Sequence, residues 1–169
     1  MSSRDTNESP PDAAQAEIGL ATERSLGFYG ALVGKASLAA IAGELKGRKM
    51  SAVAYLALGH LVALGPMSIS ELAESLVVRG PTVVRLVDRM ERDGWVTRET
   101  DLADARRKLL ALTPKARAIW EEVSDAGPRV RKTGGQNIDP SDLETAKRVL
   151  RRYAENLEVH VPFSAGSDD

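Results

Sequence analysis

Residues 81–113 read PTVVRLVDRMERDGWVTRETDLADARRKLLALT, and the fold is decided there. Val83, Leu86, Val87 and Met90 recur at the spacing of one apolar helix face, while Thr82, Arg85, Arg89 and Arg92 fall on the opposite side. Pro81 suits a first helical turn, where its missing N–H has no partner to lose. The helix is expected to run to about Asp93, with Gly94 as its stop. Trp95-Val96-Thr97-Arg98 and residues 108–112 read as short strands, the first alternating in strand fashion. Residues 102–107 between them form a loop; Asp104, Arg106, Arg107 and Lys108 sit at this turn. A helix followed by a basic hairpin is what a winged helix-turn-helix uses on duplex DNA. The helix enters the major groove, and the hairpin tip reaches toward the backbone or the minor groove.

Working outward, Ser68 caps a short helix to Leu76, with Glu71 at the capping-box position. Residues 77–80 read as a turn. Residues 51–63 form an apolar helix ended by Gly65-Pro66. Before it, Ile18, Leu26, Tyr29, Leu32, Val33, Ala36, Ala40, Ile41 and Leu45 keep helical spacing, with Gly27, Gly30 and Gly34 lowering propensity. One or two helices facing a partner are expected there. Downstream, Thr113-Pro114 starts a helix that Gly127-Pro128 should bend or interrupt, and Gly134-Gly135 ends it. Asp139-Pro140 opens a last helix with Leu143, Ala146, Leu150, Tyr153 and Leu157 on one face.

The fold class is therefore mainly α with a small β-hairpin wing: a winged helix-turn-helix plus a helical dimerisation region. The expected organisation is a disordered tail at 1–12, N-terminal dimerisation helices at 13–48, and the DNA-binding domain at 49–113. C-terminal dimerisation helices follow at 114–160, and a tail at 161–169.

Arginine is suited to the exposed helix face because its planar fork engages guanine O6 and N7, or a phosphate, in two hydrogen bonds. On that ground Arg79, Arg85 and Arg89 are candidate DNA contacts, and Pro81 and Thr82 join them by their place at the start of the same helix. Arg106, Arg107 and Lys108 are adjacent at a turn, where side chains can fan outward. Asp104, two residues earlier, is close enough to hold the Arg106 guanidinium in one rotamer. A solvated basic face and a loop with incidental charges are the bland alternatives. Both features within one 33-residue module make the joint pattern the better reading.

Overall charge adds little, since the chain of 169 residues carries a formal net charge of -1. From Arg79 to Lys108 eight basic side chains face six acidic ones, while five acids crowd the first 23 residues. A basic surface must be local. The chain has no cysteine, which excludes disulfides and thiolate metal sites and permits a reducing cytoplasm. Residues 50–64, the most apolar stretch, are too short for a bilayer, which takes roughly 20 residues. His60 and His160 lie in unrelated contexts, and no nucleophile elbow, phosphate loop or metal-ligand spacing is present. No enzyme, cofactor or metal is expected.

The segments ISELAESL, PTVVRLVDRMERDGWV and DLADARRKLLALTPKA resemble the MarR-type (multiple antibiotic resistance regulator) family, in wording closest to its SlyA-like branch. Asp101, Asp104, Arg106 and Leu112-Thr113 match its wing pattern; Gly80-Pro81 departs from it, where polar residues are commoner. The resemblance implies a homodimeric regulator of transcription, here read as a cytoplasmic repressor on a pseudo-palindromic operator. It also implies that Arg106 enters the minor groove with Asp104 orienting it. Relatives often bind small aromatic carboxylates or phenols; Tyr55 matches the aromatic position, and His60 and Trp120 are candidates by type. The competing reading from another class is a winged-helix interaction module whose basic face binds an acidic protein.

Overall fold

The computed structural model describes residues 25–76 and 80–159. Both expected tails, the chain before Ser25, residues 77–79 including Arg79, and His160 lie outside the described residues. The chain divides into two compact units, residues 1–36 and residues 37–169. Helix α1 (Leu26–Glu44) begins in the first and ends in the second.

In the first unit the Ser25 hydroxyl accepts the Phe28 N–H at 3.1 Å and starts α1. The rings of Phe28 and Tyr29 meet edge to face with centroids 5.7 Å apart. Phe28, Tyr29, Leu32 and Val33 are exposed. The glycines at 27, 30 and 34 do not interrupt the helix. At 19 residues, α1 is long and apolar enough to cross a membrane by length and composition.

The second unit is built around α2 (Ala52–Leu64), which buries Ala52, Ala54, Tyr55, Ala57, Leu58 and Leu61. The Ser51 hydroxyl caps its start by accepting the Ala54 N–H at 3.2 Å. Gly65 stops it at φ +83°, a conformation that favours glycine. Helix α3 (Ile69–Leu76) opens with the expected capping box. The Ser68 hydroxyl accepts the Glu71 N–H at 3.2 Å, and Glu71 Oε2 accepts the Ser68 N–H at 2.8 Å.

Helix α4 (Gly80–Arg92) begins one residue before Pro81 and buries Val83, Val87 and Met90. It ends in a Schellman arrangement with Gly94 at φ +71°. The Gly94 N–H donates to the Glu91 carbonyl at 2.9 Å and the Trp95 N–H to the Met90 carbonyl at 2.8 Å. That closure buries Trp95.

Strands β1 (Val96–Thr100) and β2 (Lys108–Leu112) pair antiparallel in the register Val96 to Leu112 and Thr100 to Lys108. Met67 joins them through two hydrogen bonds with Leu110. The alternation expected of the first strand does not occur. Trp95 and Val96 are both buried, and residues 97–100 are all exposed. Trp95 belongs to the helix cap, and beyond Val96 the β1 side chains leave the core, while Leu110 and Ala111 on β2 stay buried. Leu58, Leu72, Met90, Leu110, Val83, Val87 and Val96 are the largest fully buried side chains, so α2, α3, α4 and the hairpin root share one core.

Helix α5 (Pro114–Val123) is capped by Thr113, whose hydroxyl accepts the Ala116 N–H at 3.1 Å and donates to the Gly94 carbonyl at 2.8 Å. The expected interruption falls at Ser124-Asp125, ahead of Gly127-Pro128, and α6 (Ala126–Gly134) follows. A proline ring clashes with the carbonyl four residues earlier, which is that of Ser124, so the break precedes the proline. Pro128 itself sits in the first turn of α6. Helix α7 (Pro140–Asn156), capped by Asp139, buries no residue. Val149, Leu150, Tyr153 and, just beyond it, Leu157 are exposed.

Candidate nucleic-acid interface

The apolar face of α4 is sealed in the core, which turns Thr82, Arg85, Arg89 and Arg92 to solvent. Pro81 is also exposed, at the solvent end of the first turn. Arg92 Nε donates to the Asp88 carbonyl at 3.3 Å, and Arg89 lies 3.7 Å from Asp93. Asp88 and Glu91 pair with an arginine from the wing. Arg98 on β1 reaches Asp88 at 2.7 Å and Glu91 at 3.5 Å. The Arg85 side chain has no hydrogen bond or ion pair among the described residues.

The wing loop is ordered by its two aspartates. Asp101 Oδ1 accepts the Ala103 N–H at 2.9 Å, and Asp104 Oδ1 accepts the Arg106 N–H at 2.9 Å. The expectation that Asp104 grips the Arg106 guanidinium is therefore corrected. A short side chain two residues ahead reaches the backbone N–H and forms a local turn. The Arg106 side chain is exposed and without a partner among the described residues.

Its two neighbours do not fan outward as expected. Arg107 forms an ion pair with Glu71 on α3 and lies 3.6 Å from Asp101. Lys108 donates to the Thr100 hydroxyl at 2.5 Å, across the register pair that faces it. The Arg107 hydrogen bond and the two from Ser68 hold the Glu71 carboxyl down at about 2, well below the usual carboxylate range. The same contact raises the Arg107 guanidinium further above its ordinary value. Sequence reasoning assigned Glu71 only its capping role. The second role depends on a residue 36 positions away, and no local pattern signals it.

The ligand candidates lie at the seam of α2, α5 and α6. Tyr55 and Trp120 stack with ring centroids 5.0 Å apart. The Tyr55 hydroxyl donates to the Ser124 carbonyl at 3.0 Å and accepts the Gly127 N–H at 2.9 Å. It thus fills the carbonyl that Pro128 leaves unpaired at the helix break. A Cβ at Gly59 would lie 2.9 Å from the Trp120 ring, and one at Gly127 would lie 2.7 Å from the Tyr55 hydroxyl. Both glycines admit those aromatic groups. His60 is half-buried, and burial lowers its imidazole from the ordinary value.

The sequence pattern of the MarR family matches residues 49–107, from just before α2 to the end of the wing loop. An uncharacterized HTH-type transcriptional regulator of Bacillus subtilis, YwoH, is 41% identical over 95 residues, which are 56% of this chain and 69% of YwoH. The transcriptional activatory protein BadR of Rhodopseudomonas palustris is 31% identical over 102 residues, 60% of this chain and 57% of BadR. The solved transcriptional regulator PA3341 superposes with a TM-score of 0.74 at 32% identity, over 80% of this chain and 100% of that one. BpsR of Bordetella bronchiseptica, whose DNA binding is regulated by 6-hydroxynicotinic acid, shares the fold with a TM-score of 0.69 at 20% identity, over 79% of this chain and 95% of BpsR.

Proposed function

This chain belongs to the MarR family, and from that premise we propose that it is a cytoplasmic homodimeric repressor that reads a pseudo-palindromic operator with α4 and grips the flanking DNA with its wing. As a member it is a DNA-binding transcriptional regulator and not an enzyme. One observation carries the finer reading. Between residues 85 and 108 every basic side chain but two engages a neighbour, and the two without a partner among the described residues are Arg85 on α4 and Arg106 in the wing loop. A groove-reading helix needs an unengaged fork on its exposed face, and a wing needs one at its end. Thr82, one turn before Arg85, and Pro81 border the same contact. Arg89, paired only loosely with Asp93, is assigned to phosphate, as is Arg79.

The dimer reading is supported by exposed apolar side chains on α1 and α7, in the regions 13–48 and 114–160. Burial in a two-fold interface stabilises by roughly 25 cal/mol per Å² of apolar area. Such a dimer would set two α4 helices about one DNA turn apart, roughly 34 Å. Repression is the proposed outcome where the occupied operator blocks transcription. Release by a small aromatic or phenolic effector is proposed at the Tyr55–Trp120 stack, with His60 on the same helix as Tyr55, and regulation of BpsR by an aromatic acid supports that chemistry.

Selection of bound sequences from random duplex, followed by salt-titrated affinity, tests the function. A selected operator with two-fold symmetry and affinity falling linearly with log salt is the expected result. Failure to enrich any duplex, with binding to an acidic protein instead, would contradict it. Sedimentation at micromolar concentration tests the dimer, and a monomer there would refute it.

A further inference from the structure

We propose that Arg107 is a positioning residue that latches the wing to the capping box of α3 and so presents Arg106 to DNA, and that it is not itself a DNA contact. This rests on the reading of the wing as a DNA-gripping element.

The outer part of the hairpin needs a brace, because the buried Leu110 and Ala111 anchor only its root. An isolated two-stranded ribbon is marginal in water, and beyond Val96 the β1 side chains bury nothing. Two ion-pair struts hold it to the helices, one from each side. On β1, Arg98 reaches Asp88 and Glu91 of α4. At the end of the loop, Arg107 reaches Glu71 of α3. The second strut joins parts that are already fixed. Glu71 Oε2 accepts the Ser68 N–H and hydroxyl, both at 2.8 Å, which leaves Oε1 for Arg107. Asp101, its side chain only 15% exposed, orders the loop with one oxygen and faces Arg107 with the other. The backbone of Arg107 is held as well. Its N–H donates to the Asp104 carbonyl at 2.9 Å, and its carbonyl accepts the Asp101 N–H at 3.0 Å.

Arg107 is therefore fixed at backbone and side chain and matched by two carboxylates, while the adjacent Arg106 is fixed at its N–H and its side chain has no partner among the described residues. A phosphate that took Arg107 would strip Glu71 of its cation. A phosphate or groove wall that takes Arg106 breaks nothing. The two neighbouring arginines divide one task, one holding the loop and the other reaching from it.

The test measures affinity and its salt slope on one duplex for the full chain and its variants. Glu71→Gln is the informative substitution, because glutamine keeps a capping box but loses the ion pair. Arg107→Ala and Glu71→Gln are each expected to weaken binding about threefold to fivefold, the scale of an exposed ion pair. Neither should change the slope of log affinity against log salt, and the double variant should be no worse than either alone. Arg106→Ala should lower the slope by about 0.9, one phosphate equivalent. Adding Arg107→Ala to Arg106→Ala should cost no further affinity, since Arg107 acts through Arg106. A general loss of structure would lower affinity equally in both backgrounds, so multiplying losses would overturn the proposal. A slope lowered by Arg107→Ala as much as by Arg106→Ala would overturn it too, making Arg107 a phosphate contact. Unchanged affinity for Arg106→Ala would overturn the wing reading itself, a result distinct from either.

Discussion

Helix α4 and the wing both present arginine to solvent, and they are held in place by different forces. Val83, Val87 and Met90 anchor α4 by complete burial among α2, α3 and the hairpin root. The wing loop has no such anchor. It is held by exposed ion pairs and by aspartates that accept backbone N–H groups. Burial is indifferent to salt, and exposed ion pairs are screened by it. An element that must keep a base-reading side chain in register is therefore set by the core. An element that grips a backbone of any sequence can be set by charge. On the proposed function, that difference suits α4 to reading bases and the wing to gripping the backbone.

The largest expected effect breaks the first half of this comparison. Leu72 on α3 is fully buried in the core that seats α4. Leu72→Ala should cost about 2–5 kcal/mol of stability, read by denaturant unfolding. Operator discrimination should fall with it. A loss well under 1 kcal/mol would mean that α4 is not held by the core. Next comes the staple at the helix break. Tyr55→Phe leaves the Ser124 carbonyl and the Gly127 N–H without their hydroxyl, at a cost of about 1–3 kcal/mol. It should not change the salt slope of DNA binding. Arg98→Ala, which removes only an exposed strut, should cost less than about 1 kcal/mol of stability. Its loss on DNA should be equal for operator and random duplex.

Acid separates the half-buried His60 of α2 from the wing's anchor on α3 by window. Burial lowers the His60 imidazole on α2, so the unfolded chain binds that proton more readily and stability rises with pH. Its penalty begins as pH falls below the ordinary imidazole value of 6.5. Glu71 is held near 2 against an ordinary 4.5, so its contribution is complete above 4.5 and is lost as pH falls through 2. Its carboxylate is half exposed, which keeps the effect small. Thermal melts from pH 7 to 5 should therefore show loss that a neutral replacement of His60 flattens and Glu71→Gln does not. Below pH 4.5 the Glu71→Gln difference should shrink.

Features written in neighbouring residues were legible in the sequence: the Ser68–Glu71 box, the Gly94 stop, the Asp139 cap and the Val83, Leu86, Val87, Met90 face. Features that depend on a distant residue were not. The helix break lies at Ser124 because a proline acts on the carbonyl four residues back, and Tyr55, 69 positions away, takes that carbonyl. Arg107 meets Glu71 across 36 positions, so a run of three basic residues read as three outward charges. Asp104 was placed correctly beside Arg106, but a side chain that short satisfies a backbone N–H before it reaches a guanidinium. The exposed apolar residues of α7 were expected from their spacing, and the structure leaves them uncovered within one chain.

The most direct test of the reader-and-grip account compares Arg85→Ala with Arg106→Ala on the selected operator and on random duplex across a salt series. Arg85→Ala should lose about 1–3 kcal/mol more on the operator than on random DNA, with relaxed choice at one base pair per half-site. Arg106→Ala should lose equally on both DNAs and flatten the salt dependence by about one phosphate equivalent. Equal losses on the two DNAs for Arg85→Ala, or an operator-specific loss for Arg106→Ala, would contradict the account.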